Sequence, residues 1–251
     1  MTKTKASLIH LLLSAVVVGA ALAVVFLVWY RGPVFRISGA IDPVLVLVSV
    51  DLVIGPLLTF IVYKHGKKGL RFDMSFILVL QLVALAYGMT VLHGERPHYL
   101  VHAVDRFVVH PRKHLDEAAI PSAQLTDPTV FGLTPVFARL PTDPDEAQQF
   151  LDSVMFQGQP DLDRRPEFWE PYSAGLDIVR ASAYPLTDMT PYDERDAREL
   201  ERVQRRFGRD NVSLAAIPVA VAEDDLAIVI DQVSLEPLGL IEIYAFGDRH
   251  D

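Results

Sequence analysis

Cysteine is absent from the 251 residues. That excludes disulfides, thiolate metal sites and a cysteine nucleophile, and it leaves the redox compartment open. Motifs that announce an enzyme are missing too: there is no G-x-x-x-x-G-K-[ST] loop, no G-x-S-x-G elbow and no H-E-x-x-H pair. Internal repeats and low-complexity tracts are not found. Acidic residues are scarce at the start. Residues 1–93 hold 3 Asp and Glu against 8 Lys and Arg, a net of +5, whereas residues 94–251 hold 29 against 15, a net of −14. An acidic second part argues against a nucleic-acid partner, because phosphates demand a basic footprint.

What the first part does have is long apolar runs. They cover about 8–30, 44–63 and 74–92, each close to the ~20 residues that carry a helix across a ~30 Å hydrocarbon core. The expected fold class is therefore a membrane α module of three transmembrane helices, residues 1–93, followed by a soluble α+β domain, residues 94–251. The first run has Lys3 and Lys5 before it and an Ala21-Leu22-Ala23 triplet inside it, as a signal peptide would. It stays apolar to Tyr30, which predicts an uncleaved anchor. Lys64, Lys67, Lys68 and Arg71 crowd the loop between the second and third runs, while residues 31–42 carry only Arg31 and Arg36. The positive-inside rule then predicts a cytoplasmic N-terminus, and three crossings put residues 94–251 outside, which in a bacterium with two membranes is the periplasm.

In that domain the expected strands are Tyr99–Val109, Thr129–Arg139, Leu226–Val233 and Leu238–Phe246, the last two forming a hairpin. Helices are expected over Asp145–Phe156, with Asp143-Pro144 at its start, and Tyr192–Phe207, with Gly208 as its C′ residue. Residues 157–191 read as an irregular loop.

The second run contains "VDLVIGPLLTFIVY", a carboxylate and a helix breaker inside a membrane-length segment. An unpaired charge there costs several kcal/mol, so Asp51 must be protonated, paired or facing protein. The expected partners lie on the third run: Tyr87 falls at the depth of Asp51, and Gln81 lies deeper, beside Gly55 and Pro56. Pro56 lacks an N–H and frees the Leu52 carbonyl, which Gln81 could cap. Ala84 and Gly88, and the ladder Ala15, Gly19 and Ala23, suit close helix packing. Three readings stay open: Asp51 holds the bundle together, receives a partner's transmembrane helix, or belongs to a proton path.

Five histidines fall between His93 and His114. His98/His102 and His110/His114 have i,i+4 spacing, which suits a metal only on a helix. The segment reads as strand, so no metal is expected. Arg96-Pro97 and Asp105-Arg106 follow the third run, as a rigid exit with a local ion pair or as a docking edge. The charge-rich stretch 193–210 reads as a solvated helix face.

"VDLVIGPLLTFIVYKHGKKGLRFDMSFILVLQLVALAYG" resembles the core of the TfpX/TfpZ-type type IV pilin accessory proteins. The likeness is carried by Asp51, Gly55, Pro56, Leu57, Leu58 and Thr59, then Lys67, Lys68 and Asp73, then Gln81, Leu82, Ala84, Leu85, Tyr87 and Gly88. "ERPHYLVHAVDRFVV" is similar to the family's entry into the exported domain through Arg96, Pro97, Asp105, Arg106 and Phe107. Residues 214–246 look like its closing strand and hairpin, with Tyr244-Ala245-Phe246 in place of the family's Pro-Trp. The resemblance implies a non-enzymatic inner-membrane accessory factor or chaperone for pilus (fimbrium) assembly, with no cofactor and no catalytic residue. Its implied partner is a type IV pilin, met through its transmembrane helix and its globular head, with membrane lipid around the helices. Homo-oligomerisation is compatible with it. The rival readings are a membrane-anchored periplasmic sensor or ligand-binding protein and a pilin-modifying membrane enzyme.

Overall fold

The computed structural model describes residues 2–31, 34–116, 119–120, 132–208, 213–220 and 226–243, with the side chain of Arg36 also set aside. The chain divides into two compact units, Met1–Arg96 and Pro97–Asp251.

The first unit is three helices long and apolar enough to cross a membrane: α1 (Lys3–Trp29), α2 (Ile41–Val62) and α3 (Leu70–Gly94). Each starts before its apolar run. Lys3 and Lys5 are exposed in the first turns of α1, where long basic side chains can keep their charge in water beside an apolar surface. Asp42 sits in the first turn of α2 and Asp73 in that of α3, where the helix dipole favours negative charge. Gly69, with φ of 88°, reverses the chain ahead of α3, and Lys67 donates to Asp73 Oδ2 at 2.7 Å across that turn. At one end the three helices share a core of Val18, Val25, Tyr30, Ala40, Val44, Leu47 and Leu92. There the Tyr30 hydroxyl donates to the Leu92 carbonyl at 2.8 Å.

The second unit is built on two four-stranded sheets. The first has the order β2-β1-β3-β4, from β1 (Pro97–Ala103), β2 (Arg106–Pro111), β3 (Thr134–Ala138) and β4 (Trp169–Pro171). β1 and β3 are parallel; the other pairs are antiparallel. The second sheet is an antiparallel meander of β5 (Tyr184–Pro185), β6 (Leu214–Pro218), β7 (Leu226–Asp231) and β8 (Pro237–Glu242). α4 (Pro144–Gln157) packs Phe150 and Val154 onto one face of the first sheet, and α6 (Glu194–Phe207) packs Val203, Leu200 and Phe207 onto one face of the second. A shorter helix, α5 (Leu176–Ala181), lies between them in the chain. The caps explain the helix starts. Asp143 accepts from the N–H groups of Asp145 and Glu146, and Asp193 from those of Arg195 and Asp196. Alternation assigns Leu100, His102 and Phe137, and Ile217, Ile228 and Ile230, to the opposite sheet faces, and all are buried. A backbone bridge from Phe107 to Val219 and a 2.8 Å bond from the Tyr172 hydroxyl to the Leu235 carbonyl tie the two sheets together.

Three-helix membrane module and α+β second part are as the sequence predicts. Several details differ. The expected strand Tyr99–Val109 is a hairpin that turns at Val104-Asp105. Val104 takes φ of 60°, a conformation that β-branched residues rarely adopt, so no Gly, Asn or Pro marks the turn. The expected loop 157–191 contains β4, β5, α5 and several 3-10 turns. Gly208 has φ of −65° and is not a left-handed C′ residue, whereas Gly158 after α4 is one at 66°. Thr129–Phe131, Tyr244–Phe246 and residues 209–210 lie outside the described residues.

Candidate functional site

The middle of α2 is not α-helical. Val50–Ile54 forms a π turn, in which the Gly55 N–H reaches back to the Val50 carbonyl. In that register the next bond would run from residue 56 to the carbonyl of residue 51, but Pro56 has no N–H to give. The carbonyl left over is therefore that of Asp51, not of Leu52. Gln81 of α3 supplies the missing donor. Its Nε2 group donates to the Asp51 carbonyl at 3.2 Å and to Asp51 Oδ1 at 3.3 Å.

The network continues through α1. His10 Nε2 lies 2.6 Å from Gln81 Oε1, and His10 Nδ1 lies 2.5 Å from Thr59 Oγ1. Because the Gln81 amide nitrogen is committed to Asp51, its oxygen must accept. His10 Nε2 is then the donor, and in the neutral ring Nδ1 accepts from the Thr59 hydroxyl. Ser7 Oγ, one turn before His10, donates to the Pro56 carbonyl at 2.8 Å. Polar groups from three helices thus satisfy one another where lipid offers no partner. Asp51, Thr59 and Gln81 are buried.

Gly55 is required for this approach. A Cβ there would lie 2.0 Å from Gln81 Nε2. At Gly88 a Cβ would meet Leu47 Cδ1 at 3.0 Å, so α3 also packs closely against α2 nearer the shared core. Beside the network lies a groove of about 320 Å³, lined by α1 (including Leu13 and Val17), by Asp51 and Thr59 of α2, and by α3 (including Leu78, Gln81 and Leu82).

Of the residues singled out in the sequence, Asp51, Gly55, Pro56, Thr59 and Gln81 come together here, with Gly88 about two turns from Gln81 along α3. Tyr87 does not. It is 71% exposed, on a different face from Ile77, Gln81 and Leu92, because six residues turn a helix through well over a full revolution. Equal depth put Tyr87 level with Asp51, but azimuth points it away. The ladder Ala15, Gly19 and Ala23 is exposed as well, and among the described residues no atom lies within 4 Å of a Cβ built on Gly19. Arg96 closes the first unit. Asp105 and Arg106 pair at 2.8 Å beside the β1–β2 turn, both about half exposed. The Arg106 hydrogen bond holds the Asp105 carboxyl below its ordinary range. An exposed pair of this kind contributes little stability.

Ser7 and His10 escaped the sequence reading. Their signal is a polar stripe, Ser7, His10 and Ser14, at helical spacing within the first apolar run. Among the other histidines, His102 is fully buried between Phe107 and Phe137, with both nitrogens lacking a partner among the described residues. Burial pushes it down to about 4. His110 Nε2 meets Asp163 Oδ2 at 2.6 Å. Burial raises the Asp163 carboxyl, but the His110 hydrogen bond and charge outweigh it and leave the net shift downward. No group of three or more metal-ligating side chains converges among the described residues.

Comparison with known proteins adds three similarities. The profile of the family described as Fimbrial assembly protein FimB matches residues 1–39. The fimbrial assembly protein of serogroup E1 from Dichelobacter nodosus is 33% identical over 214 residues, covering 84% of this chain and 82% of that protein. The serogroup I protein of the same organism is 32% identical over 186 residues, covering 72% of each. No solved structure matches.

Proposed function

The chain belongs to the fimbrial assembly protein family, and from that premise we propose that it is a non-enzymatic accessory factor, or dedicated chaperone, of the TfpX/TfpZ type for type IV pilin assembly. It resides in the bacterial inner membrane with its N-terminus in the cytoplasm and residues 97–251 in the periplasm. It binds the pilin through both the membrane helices and the exported domain. The observation that carries the reading is the hydrogen-bonded polar network of Asp51, Gln81, His10 and Thr59 within membrane-spanning helices, in a chain whose relatives are fimbrial assembly proteins. Such groups are costly in lipid and mark functional positions.

The test is co-purification of the detergent-solubilised full chain with the pilin of its own organism, together with surface pilus yield after deletion of its gene. A retained pilin and a lost pilus support the proposal. Unchanged piliation on deletion removes it. Phosphatase fusions after Asp251 should be active and fusions at Lys67 inactive; the reverse pattern would put the second unit on the cytoplasmic side.

A further inference from the structure

We propose that the groove between α1 and α3 is the seat of a transmembrane helix of the fimbrial subunit, which hydrogen-bonds there to the side chain of Asp51. The proposal rests on the assembly reading above and adds the site and the chemistry of contact.

Four observations carry it. First, α1 and α3 meet near Tyr30 and Leu92, yet lower down they leave the groove open between them. Second, its walls are apolar and accessible: Leu13 is 63% exposed, Leu78 54% and Leu82 50%. Third, its base is polar. Asp51 is only 4% exposed and lines the groove, but the network uses one side-chain oxygen, Oδ1; Oδ2 takes no hydrogen bond among the described residues. Fourth, Asp51 lies mid-span. Ten residues separate it from Ile41 and eleven from Val62, about 15 Å from either end of α2.

These features select the occupant. A lipid headgroup stays at the interface, and an acyl chain brings no hydrogen-bonding group to Oδ2. A volume of about 320 Å³ is too small to enclose a helix about 10 Å across, so a helix would lie along the groove and insert side chains into it. Among the described residues no Lys or Arg lines the groove, and both nitrogens of His10 are engaged elsewhere. Asp51 therefore acts as a hydrogen-bonding group rather than as a fixed charge, and the polar group it meets is a hydroxyl, amide or carboxyl on the incoming helix. The π turn beside Pro56 places this carboxyl at the groove.

The experiment is site-specific photocrosslinking in native membranes. The full chain carries benzoylphenylalanine at Leu13 or Leu82 on the groove, or at Val53 or Leu80 as controls, which are exposed but do not line it. The groove positions should give an adduct with the fimbrial subunit and the controls should not. In the Leu82 probe background, Asp51→Leu should reduce the adduct about threefold or more, the equivalent of one intramembrane hydrogen bond. Asp51→Asn should leave it within about twofold, since the amide keeps a hydrogen-bonding group on that side. Adducts with lipid alone, adducts with a second copy of this chain, or equal subunit adducts from the controls would each overturn the proposal. If the subunit still co-purifies with the wild-type chain while the groove probes miss it, the assembly reading stands and the groove assignment fails. If deletion of the gene leaves piliation unchanged, it is the assembly reading that fails.

Discussion

The Gln81 amide donates twice to Asp51, once to the backbone carbonyl at 3.2 Å and once to the side chain at 3.3 Å. One side chain on α3 thereby repairs the break that Pro56 makes in α2 and anchors the carboxyl beside it. Gly55 makes room for both bonds, since a Cβ there would overlap the amide nitrogen at 2.0 Å.

Gly55→Ala is expected to expel Gln81 from the network. Forced overpacking costs about 1–3 kcal/mol, to which the orphaned Asp51 carbonyl adds. The measurement is thermal stability of the detergent-solubilised chain. Because the three atoms nearest that Cβ all belong to Gln81, Gly55→Ala in a Gln81→Ala background should cost much less than in the wild type, and additive effects would refute the steric link.

Asp51→Asn should keep most surface piliation, while Asp51→Leu should accumulate normally yet lose it. Interhelical hydrogen bonds in membranes average only ~0.6 kcal/mol, so the bundle survives the loss of one. Pilus yield at matched protein level decides. Full assembly with Leu would make the site mere packing, and failure of Asn as complete as that of Leu would mean that charge is needed.

Residues 97–251 expressed alone should melt cooperatively. The unit has its own cores, one of Tyr99, Val101, Val136 and Phe168 under α4, the other of Leu214, Val229 and Ile241 under α6. Circular dichroism with heating checks this; a featureless melt would show that folding depends on the membrane helices.

The same fragment should lose stability in mild acid. His102 titrates at about 4 when folded and near 6.5 when unfolded. Between those values the unfolded chain binds more protons, so stability is complete above pH 6.5 and falls as the pH drops toward 4. The loss is about 3 kcal/mol, because each tenfold weakening of proton affinity is worth ~1.4 kcal/mol. Urea midpoints at pH 7 and 4.5 measure it, and His102→Leu should flatten the difference. An unchanged pH dependence in that variant would assign the acid sensitivity to other groups.

The three membrane helices were legible because an apolar run near 20 residues has few other uses. The two longer helices of the second unit were legible from Asp143-Pro144 and the charge pairs of 194–207, whereas α5 was not. The hairpin at Val104 was not, since a β-branched residue at positive φ contradicts local preference and is held only by the strands on either side. β4 and β5 were hidden for a related reason: strands of three and two residues carry almost no periodic signal and exist because a neighbouring strand supplies the ladder.

By itself, the sequence determined that Asp51, Gly55, Pro56 and Gln81 would matter to one another, because a carboxylate and a missing N–H inside a lipid-length helix must be answered by polar groups. It did not determine which groups would answer. Depth along a helix follows from a residue count, but direction around the axis depends on register, and the π turn at Val50–Ile54 shifts that register. Only the packing of the three helices decided that Tyr87 faces outward, that the freed carbonyl belongs to Asp51, and that His10, 41 residues earlier in the chain, joins the network at Thr59 and Gln81.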